Sequence, residues 1–256
     1  MPTILFNEIV FGPIHSRRLG ISLGINLLPT DGKLCSFDCI YCECGYNADR
    51  KPASKIPTRA EVRAALDEKL HTMQEQPDVI TFAGNGEPTI HPEFALIVDD
   101  VIELRNRYFP NAKISVLSNS SMIDKEDIFQ ALNKIDNNIL KIDASSDDKL
   151  HLIDQPNSST FNVKDLVRQM KRFDGNVIIQ TMFLRGTYNG QSVDNTGEKE
   201  VSAWIDILKE VSPRQVMIYT IDRETPAKGL EKVSVEELNS IAEKVKQAGF
   251  DVSVSG

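Results

Sequence analysis

Four cysteines fall within one stretch of ten residues, and their spacing is the strongest chemical signal in the sequence. Cys35, Cys39 and Cys42 are separated by three and then by two residues, and Cys44 follows. Thiolates this close along one loop can each bind a different iron of a cubane iron–sulfur cluster. Three protein ligands leave one iron with an open position, just as catalytic zinc sites keep one. The spacing therefore predicts a cluster that can bind a substrate or cofactor directly.

Cys44 allows more than one kind of cysteine site in this segment, which we call the cysteine loop (residues 35–44). As a fourth ligand Cys44 would close the cluster, although a C-x-C pair in a tight loop would reach the last corner under strain. A zinc site usually has two ligand pairs placed farther apart, and the nearest histidines, His15 and His71, are distant in sequence. Disulfides between such close neighbours would constrain little of the chain, so the cysteines indicate a reducing, cytoplasmic environment.

A glycine-rich segment gives the second signal. Residues 84–88 read Gly-Asn-Gly-Glu-Pro and follow the second predicted strand; we call them the glycine turn. Two glycines allow the backbone to approach a ligand closely, and Glu87 adds a carboxylate. Alone, this segment is typical of an ordinary turn with a solvated acid. Its place one βα unit after the cysteine loop makes it a candidate part of the same site.

The elements that must position these segments are short β-rich runs alternating with amphipathic helices. Most of the runs are apolar throughout, which is typical of parallel strands covered on both faces. We predict strands over residues 21–28, 79–83, 113–117, 139–142, 177–183 and 215–220. Six βα units are fewer than the eight of a closed TIM barrel. The pattern therefore predicts an α/β fold with a partial (β/α)6 parallel barrel and an active site at the carboxyl ends of its strands.

Domain organisation and partners follow from composition. No linker divides the chain, so we expect one domain over residues 1–256, with an N-terminal extension (1–20) and a short C-terminal strand within 250–256. The net charge of −8 argues against a broad nucleic-acid surface and against DNA as a partner. Apolar runs such as residues 177–184 are too short to span a bilayer. The N-terminus lacks the features of a signal peptide, which again predicts a cytoplasmic protein.

These motifs resemble the radical S-adenosylmethionine (SAM) superfamily over most of the chain. Its signature is C-x3-C-x-aromatic-C, here with Tyr41 as the aromatic residue, followed by a Gly-Gly-Glu-Pro-like turn after the second strand. Asn85 stands where glycine is commoner, and asparagine tolerates a positive φ better than most residues. Residues 11–26 and 80–94 further resemble the wyosine-biosynthesis-like Fe–S oxidoreductase branch.

The resemblance implies a site made of a [4Fe–4S] cluster and SAM. Cys35, Cys39 and Cys42 would bind the cluster, and the amino and carboxylate groups of SAM would bind its fourth iron. The glycine turn would hold the methionine ammonium, and Tyr41 would lie near the adenine. The implied cofactor-binding residues are Tyr41, Gly84, Asn85, Gly86, Glu87, Pro88, Asp143, Ser145 and Gln180. Arg17 and Arg18 can hold a carboxylate or phosphate as a fork, so they are possible substrate or SAM contacts.

The implied function is reductive cleavage of SAM to a 5′-deoxyadenosyl radical that abstracts hydrogen from a small metabolite or an RNA base. A glycyl-radical-enzyme activating protein is one alternative, and a non-catalytic Fe–S or zinc module is another. Wyosine formation itself needs a second cluster and a lysine that binds pyruvate as a Schiff base, for which Lys33 and Lys141 are possible positions. Lys33, Arg50 and Lys51 could also form a basic rim that suits an acidic electron donor, flavodoxin or ferredoxin.

Overall fold

The computed structural model describes residues 4–16 and 19–256, and its backbone alternates strands with helices as the sequence predicts. One mostly parallel sheet has the order β1-β2-β3-β4-β5-β6-β8-β10, while the short β7 and β9 pair with β6. The strands are β1 (Val10–Ser16), β2 (Gly20–Ile25), β3 (Val79–Phe82), β4 (Lys113–Ser118), β5 (Asn137–Lys141), β6 (Ile178–Tyr188), β7 (Gln191–Ser192), β8 (Gln215–Thr220), β9 (Leu230–Lys232) and β10 (Val252–Ser255).

Helices follow the parallel strands and cover the outer face of the sheet. The Thr58–Glu61 capping box begins the first of them, and side chains of Asn162 and Ser234 cap two others, because these residues satisfy backbone N–H groups that the first turn leaves free. The helices are α1 (Arg59–Thr72), α2 (Phe94–Tyr108), α3 (Glu126–Asn133), α4 (Asp147–Ile153), α5 (Val163–Lys171), α6 (Glu198–Val211) and α7 (Val235–Gln247).

The main core lies between the sheet and these helices. Alternate strand residues such as Ile80, Phe82 and Val116 are fully buried there, against helix residues such as Phe94 and Leu104. The opposite faces of β5, β6 and β8 form a smaller cluster of Ile139, Ile178 and Met217 inside the curled sheet. Within the described residues β1 and β10 are the two ends of the strand order, so the sheet is a half-barrel and the predicted partial barrel is confirmed.

The N-terminal extension contains a strand that the sequence did not predict. Residues of β1 pair antiparallel with β2, and the register shifts between Phe11 and Ile14. Gly12 and Pro13 lie at this irregularity and interrupt the alternation by which a strand is recognised. The six predicted parallel strands are present, and β10 extends them in parallel beside β8. No helix in the described part of the chain combines the length and apolar character that crossing a membrane requires.

Candidate active site

The structure brings Leu34, the residue directly before the cysteine loop, into backbone contact with the glycine turn, although about fifty residues separate them. Leu34 N donates to Asn85 O (2.9 Å), and Glu87 N donates to Leu34 O (3.3 Å). Leu34 and Gly86 form a parallel bridge. A Cβ at Gly86 would lie 1.9 Å from Leu34 O, and its φ of +139° is also one that favours glycine. The two motifs therefore form one site at the carboxyl ends of β2 and β3.

The presence of asparagine at position 85 is explained by its side-chain hydrogen bonds and not by an unusual backbone conformation. Positive φ values occur at Gly84 and Gly86 but not at Asn85, so the expected reason for asparagine is wrong. Its buried amide donates to Phe6 O (2.8 Å) and Pro29 O (2.9 Å) and accepts from Phe6 N (2.8 Å). Asn85 therefore ties the N-terminal segment and the end of β2 to the glycine turn.

We expect Asn85→Ala to lower the free energy of unfolding by about 2–4 kcal/mol, because it removes three hydrogen bonds and leaves the buried carbonyl of Pro29 and the partly buried carbonyl of Phe6 without this donor. Urea denaturation measures this change, and amide exchange should rise at Phe6. Asn106→Ala, at an exposed position of α2, is the control and should change stability by less than about 0.5 kcal/mol. Equal effects of the two substitutions would contradict this role of Asn85.

The four thiols have different electrostatic surroundings. Burial, followed by the Glu87 charge, raises the pKa of Cys35 to about 12, and burial also raises the pKa of Cys39. Cys42 differs, because a hydrogen bond from Cys44 and the charge of Lys33 outweigh burial and lower its pKa to about 6. The Cys44 thiol also lies 3.5 Å from Gly84 O. Cys42 is thus the thiol most readily deprotonated for metal binding.

We expect iodoacetamide to alkylate Cys42 about tenfold faster than Cys35 or Cys39 in iron-free protein at pH 7, since the thiolate is the reactive form. A lowered pKa leaves the group ionised at pH 7, and the rate should fall as the pH drops through about 6. Mass spectrometry of timed samples measures each site. Cys44→Ala is the matched variant: it removes the hydrogen bond to Cys42 and should slow the reaction. A Cys42 no faster than Cys35 would contradict the assignment.

Lys33 lies behind the cysteine loop and not on its rim. Its side chain is 1% exposed, and Nζ donates to Asp38 Oδ1 (3.0 Å) and Gly45 O (2.7 Å). Burial alone would lower the pKa of Lys33, but the neighbouring Cys42 and Cys35 thiols and Asp38 raise it well above its ordinary value. The predicted basic rim is therefore wrong for Lys33. Of its other members, Arg50 is half-buried and Lys51 is exposed.

Glu87 points into the protein and not toward solvent. The residue is 2% exposed, and its carboxylate accepts from Thr89 N (3.0 Å), Ser118 Oγ (2.9 Å) and Asn119 N (2.6 Å). Burial raises its pKa, while these hydrogen bonds act in the opposite direction. Asn119 Nδ2 in turn lies 3.6 Å from Cys35 Sγ. Glu87 thus joins the glycine turn to the end of β4 beside the first cysteine.

Tyr41 and Asp143 meet in a buried polar group at the end of β5. The Tyr41 hydroxyl is in hydrogen-bond contact with Asp143 Oδ2 and lies 3.0 Å from Asp154 Oδ1. Lys141 Nζ lies 3.0 Å from Asp143 Oδ2 and 2.6 Å from Tyr219 Oη. The ammonium also sits 4.9 Å from the centre of the Tyr41 ring and 5.0 Å from that of Tyr219, which is cation–π distance.

The charge of Asp143 stabilises the ammonium of Lys141 but opposes the ionised form of Asp154. Burial would lower the pKa of Lys141, but Asp143 and Tyr219 raise it well above its ordinary value. Burial and the neighbouring Asp143 raise the pKa of Asp154. Asp154 and Tyr219 are not predicted from the sequence, because neither belongs to a local motif. Tyr219, however, is the last inward-facing residue of the predicted sixth strand, and this position could have identified it as a candidate site residue.

The remaining predicted residues lie in different places. Ser145 Oγ donates to Glu200 Oε2 of α6 (2.6 Å), which directs the side chain toward the helix layer. Gln180 is 3% exposed on the inner face of β6, and its Nε2 finds no hydrogen-bond partner among the described residues. Pro88 begins a short 3-10 helix, Pro88–Ile90. Arg17 and Arg18 lie outside the described residues.

A cavity of about 210 Å³ opens beside Cys42 at the carboxyl ends of β6 and β8. Its mouth carries an ion pair between Arg223 Nη1 and Glu43 Oε2 (2.7 Å), which joins the loop after β8 to the cysteine loop. Its lining is largely aromatic and polar: Tyr41, Cys42, Glu43, Met182, Tyr219, Thr220, Ile221, Asp222 and Arg223. This is space for a ligand directly next to the cysteines.

The donor set fits a cubane cluster. Among the described residues, no three His, Cys, Asp or Glu side chains gather in a group that could hold a single metal ion. Thiolates that bind different irons of a cubane do not have to converge on one atom. Asn119 Nδ2 beside Cys35 and the buried ammonium of Lys33 are a hydrogen-bond donor and a cation of the kind that stabilises thiolate ligands and an anionic cluster.

Comparison with known proteins shows the family. Residues 31–199, well over half of the chain, match the model of the Radical SAM superfamily, so the chain belongs to that superfamily. A UPF0026 protein of Helicobacter pylori is 30% identical over 235 residues, which are 90% of this chain and 71% of that protein. Membership supports a SAM-dependent radical enzyme and, generally, a [4Fe–4S] cluster.

Solved structures share the fold. A radical SAM methyltransferase from Sphaerobacter thermophilus superposes with a TM-score of 0.65 at 14% identity, covering 91% of this chain and 65% of that one. TYW1 with a bound lysine–pyruvate adduct gives a TM-score of 0.57 at 13% identity, covering 88% of this chain and 73% of that one. At these identities the likeness concerns the half-barrel alone.

Proposed function

We propose that this chain is a radical SAM enzyme in which Cys35, Cys39 and Cys42 hold a single [4Fe–4S] cluster with one iron open to SAM. When bound at these three thiols, such a cluster would supply the electron for cleavage of SAM to methionine and a 5′-deoxyadenosyl radical, and that radical would take a hydrogen atom from the substrate. The observation that supports this proposal most strongly is the direct pairing of Leu34 with the glycine turn, which brings the cysteine loop and the glycine turn to one edge of the sheet.

The chain's own residues would bind SAM and shield the radical. Residues 84–88 would present backbone groups to the methionine moiety, beside the Cys44 thiol at Gly84 O. Tyr41, held by Asp143, and Met182 form a wall of the cavity next to Cys42. An aromatic and apolar wall supports the proposal because it keeps water away from a reactive intermediate.

In this proposal Lys141 stays protonated and forms no imine with a substrate. A Schiff base needs a neutral amine, whereas Asp143 and Tyr219 keep Lys141 protonated. Asp38 and Gly45 O likewise bind Lys33 as an ammonium. TYW1 carries a lysine–pyruvate adduct, but neither lysine here is suited to one. We therefore propose hydrogen abstraction from a small metabolite or an RNA base without covalent attachment, with flavodoxin or ferredoxin as the electron donor.

We expect anaerobically reconstituted protein to convert SAM to 5′-deoxyadenosine and methionine when dithionite is added. Liquid chromatography with mass spectrometry measures both products, and an incubation without dithionite is the control. Deuterated metabolites or RNA then identify the substrate through label in 5′-deoxyadenosine. Protein that carries a [4Fe–4S] cluster and binds SAM, yet releases no 5′-deoxyadenosine with dithionite, would overturn the proposed reaction.

A further inference from the structure

Lys33 is a buried cation enclosed by the cysteine loop and the residues just after it. Two acceptors hold the ammonium: Asp38 Oδ1 at 3.0 Å and Gly45 O at 2.7 Å. Asp38 lies between the first two cysteines and Gly45 directly follows Cys44, so the ammonium is bound by residues from both ends of the cysteine segment. This position explains why a lysine can be 2% exposed in the whole residue without an unpaired charge.

The loop around Lys33 is built to keep this arrangement rigid. Asp38 Oδ1 also accepts from Asn47 N (2.8 Å), and Asn47 Oδ1 accepts from Cys35 N (3.1 Å). Asn47 Nδ2 donates to Cys35 O (3.2 Å) and Phe37 O (3.1 Å). Asp38 and Asn47 therefore position both the Cys35 thiol and the Lys33 ammonium, and the distance between these two groups cannot change unless Asp38 and Asn47 move.

The charge of Lys33 is only partly compensated by Asp38. The Lys33 side chain is 1% exposed, whereas that of Asp38 is 25% exposed. Water screens the more exposed carboxylate, but it cannot screen the buried ammonium to the same extent. Lys33 therefore contributes a positive potential at the Cys42 and Cys35 thiols, where it opposes the negative charge of Glu87 beside Cys35.

We propose that Lys33 is a positioning residue for electron transfer: its buried ammonium raises the reduction potential of the cluster held by Cys35, Cys39 and Cys42. This inference rests on the proposed function. The step is the transfer of one electron from a donor of the flavodoxin or ferredoxin class, with no bond or proton exchanged. The added negative charge is stabilised by a nearby cation, because local charge and hydrogen bonding set the potential of such clusters.

Two substitutions that should shift the midpoint potential of the cluster in opposite directions test the inference. The potential is measured by electron paramagnetic resonance during a dithionite titration without SAM. Lys33→Met removes the cation and should lower the ratio of reduced to oxidised cluster at a fixed potential by about tenfold, or about 59 mV for one electron. Asp38→Asn keeps an oxygen acceptor but removes the partly compensating charge, and it should raise the same ratio about threefold. Lys55→Met, at an exposed lysine, is the control and should leave the potential unchanged.

The outcomes separate this inference from the proposed function. If wild-type protein forms no [4Fe–4S] cluster, the proposed function fails. If the variants form clusters whose potentials match the wild type, or shift in the same direction, Lys33 does not act by its charge and the inference is overturned. Should Lys33→Met fail to bind a cluster, Asp38→Asn decides alone: a raised ratio supports the inference, and an unchanged or lowered one overturns it.

Discussion

Replacing Cys35, Cys39 or Cys42 singly by alanine should reduce 5′-deoxyadenosine formation at least about 100-fold and leave the protein without a [4Fe–4S] cluster. Each of these thiols holds a different iron in the proposed site, so no neighbouring ligand can replace it. Loss of even an outer-shell partner of a metal ligand costs about 10–100-fold, and loss of a ligand should cost more. Iron and sulfide content, the visible absorbance and the product assay measure the effect together.

Cys44→Ala is the matched control for these three variants. Cys44 lies in the same loop and is partly buried like the other three, but its thiol contacts Cys42 and Gly84 O. Its removal should leave the cluster content unchanged. A cluster that depends on Cys44 as strongly as on Cys39 would mean a closed site with four protein ligands, and SAM would have no iron to bind.

Gly86→Ala should lower the free energy of unfolding by about 2–6 kcal/mol and suppress SAM cleavage. A Cβ at this position meets Leu34 O at 1.9 Å, and backbone at this distance has to move. Strain from the positive φ contributes about 1–3 kcal/mol and the overlap a similar amount. The expected loss of activity follows because the glycine turn would separate from the cysteine loop. Urea denaturation and the product assay measure the two effects.

Gly190→Ala is the control that isolates the contact with Leu34. Gly190 also has a positive φ, +77°, but a Cβ there has no neighbouring atom within 4 Å. Its substitution should cost only the conformational strain, about 1–2 kcal/mol, and leave SAM cleavage at the wild-type rate. If Gly86→Ala behaves like Gly190→Ala in both assays, the pairing of the two motifs is not what assembles the site.

The half-barrel could be predicted from sequence because its strands are marked by local composition. Apolar, β-branched runs such as residues 177–183 indicate strands covered on both faces, and the capping residues before α1 and α7 show where the chain turns into helices. The first strand, β1, could not be predicted in this way. Gly12 and Pro13 interrupt its pattern, and its pairing with β2 depends on contacts beyond the local sequence.

The candidate site was predictable in its motifs but not in the directions of its side chains. Spacing placed the cysteines and the glycine turn at one edge of the sheet, and the structure pairs them through Leu34 and Gly86. Lys33 looked like a surface residue, because nothing in the sequence shows that Gly45 and Asp38 enclose its ammonium. Glu87 looked like a rim carboxylate for the same reason, since two of its hydrogen-bond donors, Ser118 and Asn119, come from the end of β4, some thirty residues away.

The most direct test of the open iron position is electron–nuclear double resonance of the reduced cluster with SAM labelled in its methionine amino nitrogen and carboxylate oxygens. If three thiolates hold the cluster and the fourth iron is free, both labels should couple to the cluster in wild-type protein and in Cys44→Ala. A spectrum that SAM leaves unchanged, with neither label coupled, would contradict binding of SAM at the cluster and with it the proposed chemistry.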